Sequence, residues 1–451
     1  MVVTVSKLVY QGWGLASLDG LKLFIPNTLP GDEVEVRLTQ KKRRWAMAEV
    51  VKMVSPSPLR IQSPCGHYPA CGGCQLLHVS YENQLSLKQA MLEDCKTQAP
   101  DLSFSFLPIL PSQNNEFYRN KMEFSFTKEG SEIGLGLKKR GSYHEIVPTP
   151  TCRLLSQGSW RILAEVGAFF SKEGLSVWDA KENTGLLKWL MLRHSKSKNQ
   201  YMGMLTVSDD HPCFEKLWET IWKAIPELHS LYLGVQNRSS GGGAPDVLVH
   251  LGGSKTLEEQ LGPLSYQISP LSFFQTNTAQ ATVLYDTITR FADPKPSDIV
   301  VDLYCGTGTI GLYLASQVHS VIGIEENPGS IQDALENAKR NQISNATFIT
   351  GKVRRLLKEH PLPKPTLVIA DPPRAGMSPK ELMRAAGLGA KRLIYVSCNP
   401  ATLVRDLAEL CRFGYTIVRA QPVDMFPNTY HVETVVELTH PKPTPAPPKR
   451  G

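Results

Sequence analysis

Two short stretches of this 451-residue sequence carry side chains suited to covalent and acid–base chemistry. Ser397-Cys398-Asn399-Pro400 follows an apolar run at 392–397 and precedes a helical pattern over 402–411. A thiol there stands at a buried strand's end and just before a helix N-terminus, a setting that lowers its pKa and favours the nucleophilic thiolate. Asp371-Pro372-Pro373-Arg374 follows another apolar run at 367–370. Its two prolines hold the backbone extended and remove two donors, which fixes the Asp371 carboxylate and leaves carbonyls available.

Between residues 300 and 311 the sequence reads as a strand, a glycine-rich turn and a helix start. Gly306 and Gly308 allow a ligand to approach the backbone closely. Glu325, about 20 residues further on, ends the next strand, where a carboxylate accepts hydrogen bonds from both ribose hydroxyls of an adenosine. The loop lacks the Lys-Ser/Thr of a phosphate-binding loop, and its glycine spacing departs from the dinucleotide fingerprint. Asp302 and Tyr304 suit instead a ligand with an ammonium group and an adenine, such as S-adenosylmethionine.

Three of the nine cysteines, Cys65, Cys71 and Cys74, are clustered, and the others are scattered. An odd number in a long chain does not suggest a disulfide framework. Three close thiolates need a fourth ligand. Spacing alone leaves zinc and an iron–sulfur cluster both open, with His67 and His78 available to a zinc site.

These residues must be held by several folded parts. Apolar residues make up 41% and charged residues 20% of the chain, enough for packed cores and against global disorder. No run of 18 apolar residues occurs, and the alternating start does not resemble a secretory leader. A cytoplasmic protein without a membrane span is expected. Short strands at 2–5, 21–25, 34–38 and 45–53 suggest a small oligonucleotide-binding-like β-barrel over 1–56. A central α+β region carrying the cysteine cluster follows over 57–270, with a mobile loop at Ser239 to Gly243. From 271 to 439, apolar runs at 299–303, 320–325, 346–350, 367–370 and 392–397 alternate with helical segments. That pattern implies a Rossmann-like, doubly wound parallel sheet. Five prolines between 439 and 451 suggest a disordered tail at 440–451. The net charge of +7 is modest. Its clustering at Lys41, Lys42, Arg43 and Arg44 beside Trp45, and at Lys138, Lys139 and Arg140, fits a polyanionic partner, and each run taken alone fits a solvated hairpin tip equally well.

Five ordered motifs then become recognisable: Phe274-Gln275-Thr276-Asn277, the run from Asp302 to Gly308, Asp371-Pro372-Pro373-Arg374, Ser397-Cys398-Asn399-Pro400 and His431-Val432-Glu433-Thr434. The set resembles the RNA uracil-5-methyltransferase family, and residues 26–38 resemble its RNA-binding TRAM barrel. The resemblance implies S-adenosylmethionine as methyl donor, held by Gln275, Tyr304, Glu325 and Asp371. It also implies Cys398 as nucleophile and Glu433 as the base that removes a proton from uracil C5. It departs at Gly351-Lys352, where an acidic or amide group often meets the adenine amine, since lysine cannot accept that hydrogen bond. Family members with an iron–sulfur cluster share the Cys65, Cys71, Cys74 spacing and a fourth cysteine after threonine, which implies a [4Fe-4S] cluster on these three and Cys152. The combination looks most like members acting on 23S ribosomal RNA, with transfer RNA as the alternative and a monomer expected. An adenine amino-methyltransferase and a non-catalytic RNA-binding scaffold are the competing readings.

Overall fold

The computed structural model describes residues 1–237 and 244–441. Apolar and polar residues alternate along the N-terminal strands, so every second side chain turns inward. Leu23, Ile25, Val34, Val36, Ala46 and Ala48 thereby meet in one small core. The six strands are Val2–Thr4, Lys7–Val9, Trp13–Leu18, Leu21–Ile25, Glu33–Lys41 and Trp45–Ser55, all in one sheet. Lys7–Val9 and Trp13–Leu18 escape the sequence reading because Gly14 looks like turn punctuation. It lies inside a strand, where a Cβ would stand 2.1 Å from the Thr28 hydroxyl.

The helix Tyr81–Lys96 follows the cysteine cluster and starts at Ser80, whose hydroxyl accepts from the Asn83 amide. The central seven-stranded sheet runs from the edge strand Val247–Gly253 to Ile146–Pro148. Gly158–Glu173 and Phe214–Ala224 cover one face, with Ile162, Phe170 and Phe214 packed on Phe124, Leu190 and Leu192. The hairpin Leu257–Leu261 and Leu264–Ile268 contributes Leu257 to a cluster with Met191, Met202 and Met204. Ser239 to Gly243, and residues 442–451 of the expected tail, lie outside the described residues.

The C-terminal sheet begins with the five expected strands, Ala346–Thr350, Ser320–Glu325, Ile299–Leu303, Leu367–Ala370 and Arg392–Ser397, in that spatial order and parallel. It then departs from a purely parallel sheet. Glu433–Thr439 pairs antiparallel with Arg392–Ser397, and Thr416–Val423 forms the edge beyond it. The last strand thus enters between two earlier ones and runs backwards. Among the described residues, no helix is long and apolar enough to cross a membrane.

A buried ion pair ties the cluster-following helix to this sheet. The Lys88 ammonium lies 2.6 Å from an Asp424 oxygen, and both side chains are fully enclosed. Lys88 also donates to the Phe426 carbonyl, and the Tyr81 hydroxyl donates to the other Asp424 oxygen at 2.9 Å. Removing one partner leaves an uncompensated buried charge, whereas removing both leaves an apolar site. Lys88→Met should therefore lower stability in urea by about 3–5 kcal/mol. The double variant Lys88→Met/Asp424→Leu should recover most of that loss, and equal losses in the two would contradict the charge argument.

Candidate active site

Strand ends assemble the site. Tyr304 follows Ile299–Leu303, Glu325 ends Ser320–Glu325, Asp371 follows Leu367–Ala370, and Cys398 follows Arg392–Ser397. Ligands in open α/β sheets bind outside the carboxyl ends of the strands, where the strand order reverses. Glu433 reaches the same edge by the opposite route. Its strand is antiparallel, so its first residue lies where the neighbouring strand finishes, and Ser397 is the register partner of Thr434. The next residues outward are Cys398 and Glu433. Gln275 arrives from the segment before the helix Thr278–Ala292, its carbonyl held by the Asn120 amide group at 2.8 Å. All six expected residues line one cavity of about 910 Å³.

The glycine turn is shaped for a ligand. Gly306 has φ +54°, and a Cβ added there would meet no protein atom within 4 Å, so it would protrude into the cavity. Glu325 braces the turn: one oxygen accepts from the Gly306 amide at 3.2 Å and the other from Asn327 at 2.9 Å. Its carboxylate still lines the cavity with lone pairs to spare for two hydroxyls. Tyr304 adopts φ +62° and its hydroxyl donates to Glu381. That conformation costs a residue with a Cβ about 1–2 kcal/mol.

Asp302 does not join the site as the sequence suggests. Its side chain is fully buried, and one oxygen accepts from the Gly311 amide at 3.0 Å while the other lacks a partner. It anchors the start of the helix Thr309–Ala315 behind the turn. Arg119, Phe273 and Phe426 line the cavity without having been singled out from the sequence. Arg119 precedes the strand Lys121–Glu129 with no spacing pattern to mark it. Lys352 also faces the cavity, beside Val353.

The ionisation of the pair corrects another expectation. Burial, then the charges of Glu433 and Asp371, push the Cys398 thiol up to about 12, with Arg374 opposing. The helix Pro400–Arg412 does not offset this, because its capping residue Asn399 accepts from the Ala401 amide at 3.1 Å and so occupies the helix start. Burial and Asp371 likewise raise Glu433 to about 8, and burial raises Asp371 to about 6. The resting site therefore holds a neutral thiol beside a largely protonated carboxyl group.

The expected metal ligands also converge. Cys65, Cys71, Cys74 and Cys152 line a single pocket together with His67, Leu137 and Asn428. His78 is outside that lining, and its Nδ1 meets the Tyr68 hydroxyl at 2.5 Å. Among the described residues, no group of three or more Cys, His, Asp or Glu is gathered tightly enough for a single metal ion. Around one tetrahedral zinc, thiolate sulfurs sit about 3.8 Å apart. Burial, then Cys152 and Cys71, push the Cys74 thiol up, so four thiolates need a compensating cation.

A second cavity of about 890 Å³ lies between the barrel and the central sheet, lined by Trp13, Lys138, Tyr143, Trp178, Lys188 and Trp189. Arg119 lines both large cavities. The basic run at Lys41 to Arg44 is exposed on the barrel away from this lining, and Trp45 packs edge-on against Phe24. Arg140 lines the cleft but is spent on structure, donating to the carbonyls of Pro69 and Cys74 and lying over the Tyr68 ring.

A doubly wound sheet with one antiparallel strand inserted near its edge, and a ligand turn at its switch point, define the Rossmann-like methyltransferase class. The tRNA (uracil-5-)-methyltransferase profile matches residues 254–441, and the TRAM domain of tRNA (uracil(54)-C(5))-methyltransferase matches residues 1–59. An uncharacterised RNA methyltransferase of Caldanaerobacter subterraneus is 34% identical over 96% of this chain and 97% of its own. Another, of Clostridium tetani, is 32% identical over 95% and 94%. The tRNA (uracil-54, C5)-methyltransferase of Pyrococcus abyssi, solved with S-adenosyl-L-homocysteine, is 30% identical and superposes with a TM-score of 0.79 over 97% of this chain and 99% of that one. The chain belongs to the RNA uracil-5-methyltransferase family and is an S-adenosylmethionine-dependent enzyme.

The ionisation pattern predicts the reactivity of the thiol. In the free protein, iodoacetamide should modify Cys398 slowly at neutral pH, about tenfold faster per pH unit below its pKa. Glu433→Gln removes a charge that holds the proton on sulfur, so modification at pH 8.5 should become several-fold faster. Mass spectrometry of the Cys398 peptide measures both, and an unchanged or slower rate in the variant would contradict the assigned cause.

Proposed function

We propose that the chain methylates C5 of a uridine in RNA through a covalent bond between Cys398 and C6, with Glu433 removing the C5 proton. The observation that supports this reading is the Ser397–Thr434 register, with thiol and carboxyl side by side in one ligand-sized cavity. Uracil C5 is a poor nucleophile, so Cys398 must first release its thiol proton to solvent and add to C6 as the thiolate, which makes C5 electron-rich. C5 then takes a methyl group, which S-adenosylmethionine supplies from its sulfonium. Glu433 takes the C5 proton, the C5–H electrons form the C5=C6 bond, and Cys398 leaves as the thiolate. Glu433 acts in its ionised form, a fraction that grows as pH rises toward its pKa of about 8, and the raised pKa makes it a stronger proton acceptor than an ordinary carboxylate. Burial, then Glu433 and Asp371, hold the thiol protonated in the free protein. A cation bound beside Asp371 would offset the charge part of that shift and favour the thiolate.

Gln275, Tyr304, Glu325 and Asp371 would hold the methyl donor, with Glu325 accepting from the ribose hydroxyls. The adenine edge would meet backbone groups near Lys352 and Val353, since the lysine side chain has no acceptor. The target base must leave its stack to reach the cavity. The basic, tryptophan-lined cleft suits the flanking nucleotides by stacking and phosphate contact.

Cys65, Cys71, Cys74 and Cys152 would hold a [4Fe-4S] cluster. The support for this reading is that all four cysteines line one pocket. The chemistry above transfers no electrons, which leaves the cluster a structural part. For the RNA, the TRAM-like barrel together with the four-cysteine pattern supports 23S ribosomal RNA, and we read the enzyme as a cytoplasmic monomer. The second reading, transfer RNA, draws support from the Pyrococcus similarity and from the matching TRAM domain.

One experiment tests these assignments together. Protein is purified anaerobically, and 5-methyluridine is mapped in ribosomal and transfer RNA from cells carrying wild-type or Cys398→Ala protein. A coloured protein, 5-methyluridine in ribosomal RNA and its complete loss in Cys398→Ala are expected. A colourless zinc protein would overturn the cluster, a transfer-RNA site the substrate, and an active Cys398→Ala the covalent route. That last outcome would favour amino-methyltransferase chemistry, and no methylation by the wild type would favour a scaffold.

A further inference from the structure

The proposed base belongs to a segment that borders three cavities. Asn428 lines the cysteine pocket, Tyr430 the basic cleft, and His431 and Glu433 the reaction cavity. From Asp424 to Val432 the chain has no helix or strand, so its path depends on bonds from elsewhere. Four successive carbonyls supply them. Asn277 donates to Met425, Lys88 to Phe426, Tyr118 to Pro427, and the amides of Gln75 and Leu76 to Asn428.

Asn428 is the joint. It is only 5% exposed and has φ +66°, a left-handed conformation. Its amide and its side-chain oxygen exchange hydrogen bonds with the Gln84 carboxamide at 2.8 and 3.1 Å, and its side-chain nitrogen donates to the Asn115 carbonyl at 2.6 Å. Gln75, which grips its carbonyl, directly follows Cys74 in the chain. The link from a cysteine of the pocket to Asn428 is therefore one residue and one hydrogen bond at 2.8 Å.

We propose that this segment transmits the state of the cysteine pocket to Glu433, with Asn428 as the positioning residue. The proposal rests on the reading of Cys398 as nucleophile and Glu433 as base. It gives the cysteine pocket a purpose that needs no electron transfer: it holds Gln75 and Leu76 still, and they fix where the last strand begins. A misplaced base has a specific chemical consequence. Sulfur can still add to C6 and C5 can still take the methyl group, but the C5 proton stays on. The C6–S bond then does not break, and the methylated protein–RNA adduct accumulates. Displacement by about 1 Å suffices for a hundredfold loss of rate.

The test uses whole protein, tritium-labelled S-adenosylmethionine and total RNA from cells lacking the protein. Asn428→Gly tolerates the left-handed backbone and deletes the side-chain bonds, Gln84→Leu removes them from the other side, and Cys74→Ser disturbs the pocket itself. Each should lower turnover about a hundredfold. Each should also accumulate a denaturant-resistant, methyl-labelled protein–RNA adduct, with affinity for the methyl donor within twofold of wild type. Slower turnover without adduct, weakened donor binding in step with it, or turnover that stays at the wild-type level would overturn the proposal. Glu433→Gln is the control. If it too accumulates no adduct, the assignment of the base fails; if it does and the other variants do not, only the coupling fails.

Discussion

Three acidic side chains sunk into one crevice cannot all be ionised together. Cys398, Asp371 and Glu433 share the cavity at the carboxyl edge of the sheet, and each charge that forms raises the cost of the next. At rest the protein keeps the thiol and much of the Glu433 carboxyl neutral. A neutral thiol reacts slowly with electrophiles, and a positive charge entering the pocket would favour its ionisation. Arg374, which opposes both shifts and lies 3.2 Å from His431, is the fixed cation already present. Burial, with Asp371 adding to it, brings the Glu433 carboxyl up to about 8.

The crowding exists only because of how the last strand is inserted. An additional parallel strand would bring its first residue to the opposite edge of the sheet. The antiparallel course of Glu433–Thr439 brings it instead to the strand ends that carry Tyr304, Asp371 and Cys398. The segment that precedes this strand is held by the buried Lys88–Asp424 pair and by donors to the carbonyls of residues 425–428. The barrel adds the edge-on contact of Tyr10 with Tyr430.

Much of this was legible in the residues, and the gaps have physical reasons. Strands such as Ile299–Leu303 and Leu367–Ala370 are buried on both faces, so they read as uninterrupted apolar runs with sharp ends. Chain order does not reveal sheet order, so the entry of Glu433–Thr439 beside Arg392–Ser397 could not be read, although Glu433 itself could be named from its motif. The spacing of Cys65, Cys71 and Cys74 marks a cluster, but Cys152 joins them only through tertiary folding. A thiol before a helix reads as activated. The structure reverses that, because ionisation depends on burial and on two carboxyl groups distant in sequence. Arg140 looked like a phosphate ligand by composition and turns out to clasp the cysteine segment, a role set by partners seventy residues away.

A bond between the Cys398 sulfur and the uracil ring during turnover, as proposed above, is measured most directly with RNA carrying 5-fluorouridine, incubated with the protein and S-adenosylmethionine. Fluorine at C5 offers Glu433 no proton, so a methylated adduct can form and cannot resolve. Mass spectrometry of the digested, denatured complex should find one methylated fluorouridine nucleotide attached to the peptide containing Cys398. A complex that falls apart on denaturation, or a nucleotide attached to any other residue, would contradict the account.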